Sequence, residues 1–99
     1  RMLEIARALS LNPKVVLLDE AAAGLNPSEV SKATELIRRI RSELGISVFW
    51  VEHVMKAVME GVDRLIVMND GKNLAEGTPQ EIANNEQVIE AYLGERYVM

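Results

Sequence analysis

The sequence predicts an α/β fold in which parallel strands alternate with helices. Short, mostly apolar stretches at positions 15–18, 46–51 and 64–68 have the length and composition of strands, and helical patterns separate them. The links between these elements are short, which favours parallel pairing through right-handed helical crossovers. A hairpin signal and short helical patterns follow the third strand. We therefore expect a parallel sheet flanked by helices, with a terminal β-hairpin and short helices.

The first two predicted elements are a helix and a strand. Apolar residues at positions 2, 5, 6 and 9 form a helical stripe, and Asn12-Pro13 ends it. A strand is predicted at residues 14–19; its apolar run indicates burial on both faces, and two adjacent carboxylates, Asp19 and Glu20, follow the run. Open α/β sheets bind ligands at the carboxyl ends of their strands, so these acids are the first candidate site residues.

The strongest helix signal begins after a loop at residues 20–25. Asn26 is a good N-cap, Pro27 suits the first helical position, and Glu29 occupies the acidic position of a capping box. Gly45 supplies a C-terminal stop. Apolar residues recur at steps of three and four and predict one buried face: Val30, Ala33, Ile37, Ile40 and Leu44.

The second strand leads to a further candidate residue. Residues 46–51 are rich in β-branched and aromatic side chains, and Glu52 and His53 close this strand. Because parallel strands present their carboxyl ends at one edge of a sheet, we expect His53 at the same edge as Asp19. A short helix is predicted next, at residues 54–60.

The remainder of the chain predicts a hairpin and two short helices. Residues 64–68 form the third predicted strand, and the Asn-Asp-Gly-Lys segment at 69–72 is a turn signal because it readily supplies positive φ angles. The returning antiparallel strand is predicted at residues 72–76. Thr78 then caps a short helix, and a last helix is predicted at residues 87–93.

The composition narrows the class of protein. The 99 residues suit one small domain or part of a larger one, and 48% are hydrophobic, which allows a modest core. A net charge of −4 gives no reason to expect nucleic acid or an anionic membrane as partner, and the lack of cysteine excludes disulfides and cysteine–metal sites. No apolar stretch approaches the roughly 20 residues that cross a bilayer. Because the first residues already follow a helical pattern, we expect the beginning of the domain to be missing.

The residues at the strand ends suit nucleotide hydrolysis. Asp19 can hold Mg²⁺ through water, and Glu20 can orient or deprotonate the water that attacks a γ-phosphate. A neutral His53 imidazole can hydrogen-bond a phosphate oxygen or that water. The alternative is that the two acids form an ordinary polar strand end and that His53 is a structural residue.

These motifs, in this order, resemble the C-terminal half of an ATP-binding cassette (ABC) transporter ATPase subunit. Residues 1–9 resemble the helix after the family's signature motif, residues 15–20 the Walker B strand, and His53 the switch histidine. The turn at residues 24–27 can be explained by helix capping alone. Because it closely follows the two acids, however, it also resembles the family's D-loop. The Ala-Ala-Gly-Leu-Asn-Pro run and the Tyr-Leu-Gly ending at 92–94 are most similar to subunits for branched-chain amino acid import.

The resemblance implies a fold, a reaction and partners. The fold is the C-terminal part of a P-loop NTPase (RecA-like) parallel sheet, and the intact subunit binds ATP and Mg²⁺ and hydrolyses ATP. By this resemblance Asp19 belongs to the Mg²⁺ shell, Glu20 is the catalytic base and His53 contacts the γ-phosphate. The D-loop residues cross to a second ATPase subunit, identical or different: Gly24, Leu25, Asn26 and Pro27. Transmembrane permease subunits then hold the ATPase at the cytoplasmic face of the cell membrane.

The sequence lacks parts that this resemblance requires. No G-x-x-x-x-G-K-[S/T] phosphate loop and no glycine-rich signature occur in the 99 residues. Residues 1–99 are therefore expected to be a single partial domain that neither binds MgATP well nor hydrolyses it alone. Two sheet edges lose a neighbouring strand, so we expect this chain to self-associate through them. Three positions depart from the common family pattern: Ala21 for proline, Asn26 for aspartate and Val54 for aspartate.

Two other functions are compatible with an α/β domain. One is a non-enzymatic receiver-like module with Asp19 as phosphoacceptor, but such a domain needs a further acidic pair and a lysine at the end of a later strand. Residues 65–69 contain no lysine. The other is a purely structural or interaction module, in which the acids and the histidine have no ligand.

Overall fold

A computed structural model of the chain describes residues 2–93, and the side chains of residues 3–92. The chain divides after Ala57 into two compact units, and each has its own core. Arg1 of the predicted first helix and Gly94 of the Tyr-Leu-Gly ending lie outside the described residues.

The first unit contains two helices, two strands and the beginning of a third helix. In chain order the elements are α1 (Met2–Leu9), β1 (Val15–Asp19), α2 (Pro27–Leu44), β2 (Ser47–Val51) and α3 (Met55–Gly61), which continues into the second unit. Strands β1 and β2 pair in parallel, with Val15 opposite Ser47 and Asp19 opposite Val51. The predicted parallel pairing is therefore confirmed.

Helix α2 begins and ends where the local sequence signals predict. The Asn26 side chain accepts a hydrogen bond from the Glu29 N–H at 2.9 Å, and the Glu29 carboxylate accepts from the Asn26 N–H at 3.0 Å. At the other end Gly45 adopts a φ of 67° and donates its N–H to the Ile40 carbonyl. This left-handed conformation is one that glycine adopts without steric cost.

One face of the β1–β2 sheet is covered by helices. Its main cluster joins buried side chains of α1, β1 and α2 with Ile46, and further apolar side chains pack around it: Ile5, Val16, Ile40 and Ile46, with Leu9, Leu18, Leu36 and Val48. A second cluster lies beneath the loop that follows β1, and it contains Ala22, Val30 and Ala57 with Leu25, Trp50 and Val54 around them.

The prediction that β1 is buried on both faces is wrong for the described residues. Leu17 is 74% exposed and Phe49 is 60% exposed, and Val15 and Val51 lie on the same uncovered face. The helices pack on one face only, so the alternate side chains of both strands meet solvent. We call Val15, Leu17, Phe49 and Val51 the open sheet face. Leu44 was also predicted to be buried, but it lies in the last turn of α2, beyond the core residue Ile40, and is 61% exposed.

The second unit is built around an antiparallel hairpin. After the remainder of α3 come two strands, β3 (Leu65–Asn69) and β4 (Lys72–Gly77). Two short helices, α4 (Pro79–Ala83) and α5 (Glu86–Val88), and a π-helical segment (Ile89–Leu93) follow them. Asp70 and Gly71 form the turn with φ angles of 51° and 73°. The predicted hairpin is therefore confirmed. The predicted last helix at 87–93 starts one residue earlier and changes to π-helical geometry at Ile89.

The hairpin and the short helices enclose a small core of their own. Buried residues of α3, α4 and α5 pack against the inner side of both strands: Met59, Ile82, Ala83 and Val88, with Leu65, Val67, Leu74 and Ala75. Thr78 and Glu81 form a reciprocal capping box at the start of α4, as Asn26 and Glu29 do for α2. Tyr92 donates its hydroxyl hydrogen to the Met68 carbonyl, which links the π-helical segment to β3.

The third predicted strand does not join the parallel sheet. Within residues 2–93, β3 pairs with β4, and the sheet of β1 and β2 has these two strands alone. None of the helices in this part of the chain is long and apolar enough to span a membrane.

Candidate functional site

The polar residues predicted as a site lie at the carboxyl ends of β1 and β2. Asp19 is in register with Val51, and the Glu20 N–H donates to the Val51 carbonyl at 2.8 Å. Glu52 and His53 follow Val51 directly. The parallel pairing therefore brings Asp19, Glu20 and His53 to one edge of the sheet, where open α/β sheets bind their ligands.

Glu20 and His53 form a close pair at this edge. Nδ1 of His53 lies 3.3 Å from Oε1 of Glu20, and the two side chains are 69% and 56% exposed, respectively. An imidazole Nδ1–H can donate to a carboxylate at this distance, which is at the long end of the range for catalytic hydrogen bonds without substrate. Both side chains remain accessible to a ligand arriving from solvent.

The backbone of Glu20 turns sharply out of the strand. Its φ angle is 54°, which is uncommon for a residue other than glycine, asparagine or aspartate. The Ala23 N–H donates to the Glu20 carbonyl at 3.1 Å and closes the turn. Because the turn breaks the strand's alternation, the Glu20 side chain lies beside His53 and not beneath the sheet.

The segment Gly24, Leu25, Asn26 and Pro27 forms a turn and the start of α2. Gly24 has a φ of 77°, Asn26 caps the helix and Pro27 is its first residue. Leu25 is half-buried and packs on the cluster beneath the loop, whereas the other three are exposed. This arrangement leaves a largely solvent-facing loop directly after the Glu20 turn.

The chain matches known proteins along nearly its whole length. The family described as "Branched-chain amino acid ATP-binding cassette transporter" matches residues 72–98. BraF of Pseudomonas aeruginosa, a high-affinity branched-chain amino acid transport ATP-binding protein, is 50% identical over 95 residues, which cover 96% of this chain and 37% of BraF. LivG of Escherichia coli, which carries the same description, is 50% identical with the same shares covered. The chain corresponds to the C-terminal part of an ABC transporter ATP-binding domain.

The fold of the chain agrees with this correspondence. It superposes with a TM-score of 0.80 and 32% identity on the ADP conformation of MJ1267, an ATP-binding cassette of an ABC transporter, over 93% of this chain and 37% of that one. The predicted P-loop NTPase fold class is therefore confirmed. The chain spans 37% of the length of the curated relatives BraF and LivG.

The resemblance to ABC ATPases predicts Mg²⁺ at this site, and few protein ligands are available to it there. Among residues 2–93, no three His, Cys, Asp or Glu side chains converge to form a metal site. Mg²⁺ usually takes one or two carboxylates and completes its shell with water and substrate phosphates. The carboxylate of Asp19 is exposed, so it is one oxygen ligand that such a metal could take.

A further acidic residue at this edge, Glu52, is not among the site residues that the sequence predicts. Its side chain is 1% exposed, and its carboxylate accepts hydrogen bonds from four N–H groups: those of Ala22, His53 and Val54 and the Trp50 indole. The signal was present in the strand pattern, because alternation puts Glu52 on the same covered face as Val48 and Trp50. An acid at such a position has to be hydrogen-bonded.

Proposed function

We propose that this chain is the carboxylate-bearing part of the ATP-hydrolysing subunit of an ABC transporter. Glu20 acts as the catalytic base and His53 contacts the γ-phosphate. The observation that supports this assignment is the 3.3 Å approach of His53 Nδ1 to Glu20 Oε1 at the carboxyl edge of two parallel strands. The similarity to ABC transporter ATP-binding proteins supports ATP as the ligand. The geometry supports two side chains, Glu20 and His53, that are exposed and close enough to contact the same bound group.

The chemistry requires little from these residues beyond position and charge. Phosphoryl transfer is catalysed mainly by positioning and electrostatic stabilisation. The Glu20 carboxylate orients the attacking water and accepts its proton, while the His53 imidazole hydrogen-bonds the γ-phosphate or that water. Asp19 would hold Mg²⁺ through water, and the ion, when bound, neutralises charge on the phosphate oxygens.

The partners and the cargo follow from the same proposal. The exposed loop of Gly24, Leu25, Asn26 and Pro27 contacts a second ATPase subunit, so that ATP lies between the two. Transmembrane permease subunits recruit the ATPase to the cytoplasmic face of the cell membrane. The family match over residues 72–98 and the descriptions of BraF and LivG support branched-chain amino acid import as the transport reaction.

The 99-residue chain alone is proposed to be inactive. It contains no phosphate-loop sequence, so it has neither a backbone cradle nor a lysine for the β- and γ-phosphates. Its two-stranded sheets leave edges unpaired within the described residues, and the open sheet face exposes four apolar side chains. Both features support self-association of the isolated chain.

The test is steady-state ATP hydrolysis by the whole protein and its Glu20→Gln variant. The amide keeps the shape of the side chain but cannot accept the proton, so the rate is expected to fall about 10²- to 10⁴-fold while nucleotide binding persists. Glu35→Gln, the same change at an exposed position on α2, is the matched control and should leave the rate unchanged. A Glu20→Gln protein that hydrolyses ATP at the rate of the control would overturn the proposal.

A further inference from the structure

We propose that Glu52 is a positioning residue that fixes Glu20 and His53 relative to each other. Neither the family match nor the similarity to BraF and LivG assigns it this role. The effect of Glu52 on catalysis rests on the function proposed above, whereas its hydrogen-bonded link between the two segments does not. The carboxylate joins the turn after β1 to the end of β2, the two segments that carry the pair.

The two oxygens of Glu52 serve different segments. Oε1 accepts from the Ala22 N–H at 2.9 Å and from the Trp50 indole N–H at 3.1 Å. Oε2 accepts from the backbone N–H groups of His53 at 3.1 Å and Val54 at 3.4 Å. One carboxylate thus binds the β1 turn through one oxygen and the His53 backbone through the other.

These hydrogen bonds fix Glu20 from both sides. Its own N–H donates to the Val51 carbonyl, and two residues later the Ala22 N–H donates to Glu52. The positive φ of Glu20 therefore lies between two attachments to the end of β2. Since Glu52 also holds the His53 N–H, it sets the backbone of both members of the 3.3 Å pair.

Burial makes the arrangement sensitive to a change of one atom. Glu52 is 1% exposed at its side chain, and Ala22 is 1% exposed, so water cannot replace the acceptor of the Ala22 N–H. Glutamine has nearly the same shape, but its NH₂ group donates where Oε2 accepts, opposite the N–H groups of His53 and Val54. Glu52→Gln is thus expected to loosen one half of the link without opening a cavity.

The first test is made by NMR on the whole protein. In the wild type, a scalar coupling through the hydrogen bond is expected between the Ala22 amide nitrogen and the Glu52 carboxylate carbon. Contacts between the His53 ring and the Glu20 methylene protons are expected as well. In Glu52→Gln we expect the ring contacts to disappear and exchange of the His53 amide hydrogen to accelerate about tenfold or more.

The controls separate positioning from general stability. Glu35→Gln should leave the ring contacts and the exchange rate as in the wild type, and contacts within the cluster of Ile5, Val16, Ile40 and Ile46 should persist in every variant. If Glu52→Gln does not fold, the wild-type coupling alone decides whether the link exists. Absence of that coupling, or intact ring contacts in Glu52→Gln, would overturn the proposal.

The second test concerns the reaction. Glu52 touches no substrate, so Glu52→Gln should lower kcat about tenfold or more with the KM for ATP within about twofold of the wild type. In a Glu20→Gln background the same change should have no further effect, because Glu52 acts through Glu20. An unchanged kcat, or an equal loss in both backgrounds, would contradict a positioning role. If the wild type does not hydrolyse ATP, the proposed function fails, while the NMR test still decides the link.

Discussion

The imidazole of His53 lies 3.3 Å from the carboxylate of Glu20, across the ends of two parallel strands. Both side chains are more than half exposed, so the pair contributes at most about 1 kcal/mol to stability. Its two members are nevertheless placed by backbone hydrogen bonds to Val51 and to the buried Glu52. The two side chains add little stability, yet hydrogen bonds hold the backbone of both residues in place. This combination is more typical of a ligand-binding site than of a contact that stabilises the fold.

The conformation of Glu20 predicts an unusual order of stability among its variants. Because its φ is 54°, glycine should be preferred over alanine, and Glu20→Gly should be more stable than Glu20→Ala by about 1 kcal/mol. Urea denaturation measures the difference. The neighbouring Asp19 lies in strand β1, so Asp19→Gly should be less stable than Asp19→Ala. The same order at both positions would contradict the left-handed turn.

Removal of the buried hydroxyl of Thr34 is expected to leave the stability of the fold unchanged or to raise it. It is buried on α2, and its hydroxyl has no hydrogen-bond partner within the described part of the chain. Thr34→Val keeps the shape and removes the unsatisfied group, so stability should stay equal or rise by about 1 kcal/mol. Thr78→Val is the matched control, since the Thr78 hydroxyl caps α4 and its loss should cost about 1 kcal/mol. A clear loss of stability in Thr34→Val would indicate an unseen partner.

The open sheet face predicts the association of the isolated chain. Leu17→Asp places a charge in its centre, so sedimentation should show a shift towards monomer at equal concentration. Helical content should persist because Leu17 is not part of the core cluster. Leu11→Asp, at an exposed position outside the strands, is the control and should leave association unchanged. A wild-type chain that sediments as a monomer would refute the proposed self-association.

The capping box of α4 predicts a dependence of stability on pH. The pKa of Glu81 is held below its ordinary value of 4.5, first because the Thr78 backbone N–H donates to its carboxylate and then through the Thr78 side chain. The stabilisation is therefore present above pH 4.5 and is lost as the pH falls through the lower pKa of the folded state. Thermal unfolding of wild type and Glu81→Gln should differ above pH 4.5 and converge in acid. A constant difference would contradict this assignment.

Local signals in the sequence were sufficient for much of the fold. Asn26, Glu29 and Gly45 specify the ends of α2 by hydrogen bonds that reach a few residues along the chain. Asp70 and Gly71 specify the hairpin turn in the same way. The parallel arrangement of β1 and β2 followed from the helix between them, and it brought Glu20 and His53 to one edge as expected.

The features that escaped prediction depend on distant parts of the chain. Leu17 has the sequence environment of a buried strand, but burial depends on which elements cover the sheet, and the helices cover one face. Glutamate seldom adopts a positive φ, so the residue type of Glu20 did not predict its left-handed conformation. Glu52 binds Ala22, thirty positions away in the sequence, so no local pattern specifies the contact.

Glu20 and His53 are proposed to act together on a bound nucleotide. This joint action is tested most directly by a double-mutant cycle of ATP hydrolysis in the whole protein, with Glu20→Gln, His53→Ala and the two combined. Each single change should lower kcat about 10²-fold or more, and the double variant should be no slower than the slower single one, because groups that act as a unit are not additive. Single variants within about threefold of the wild-type rate, or losses that multiply in the double variant, would contradict a joint role of Glu20 and His53.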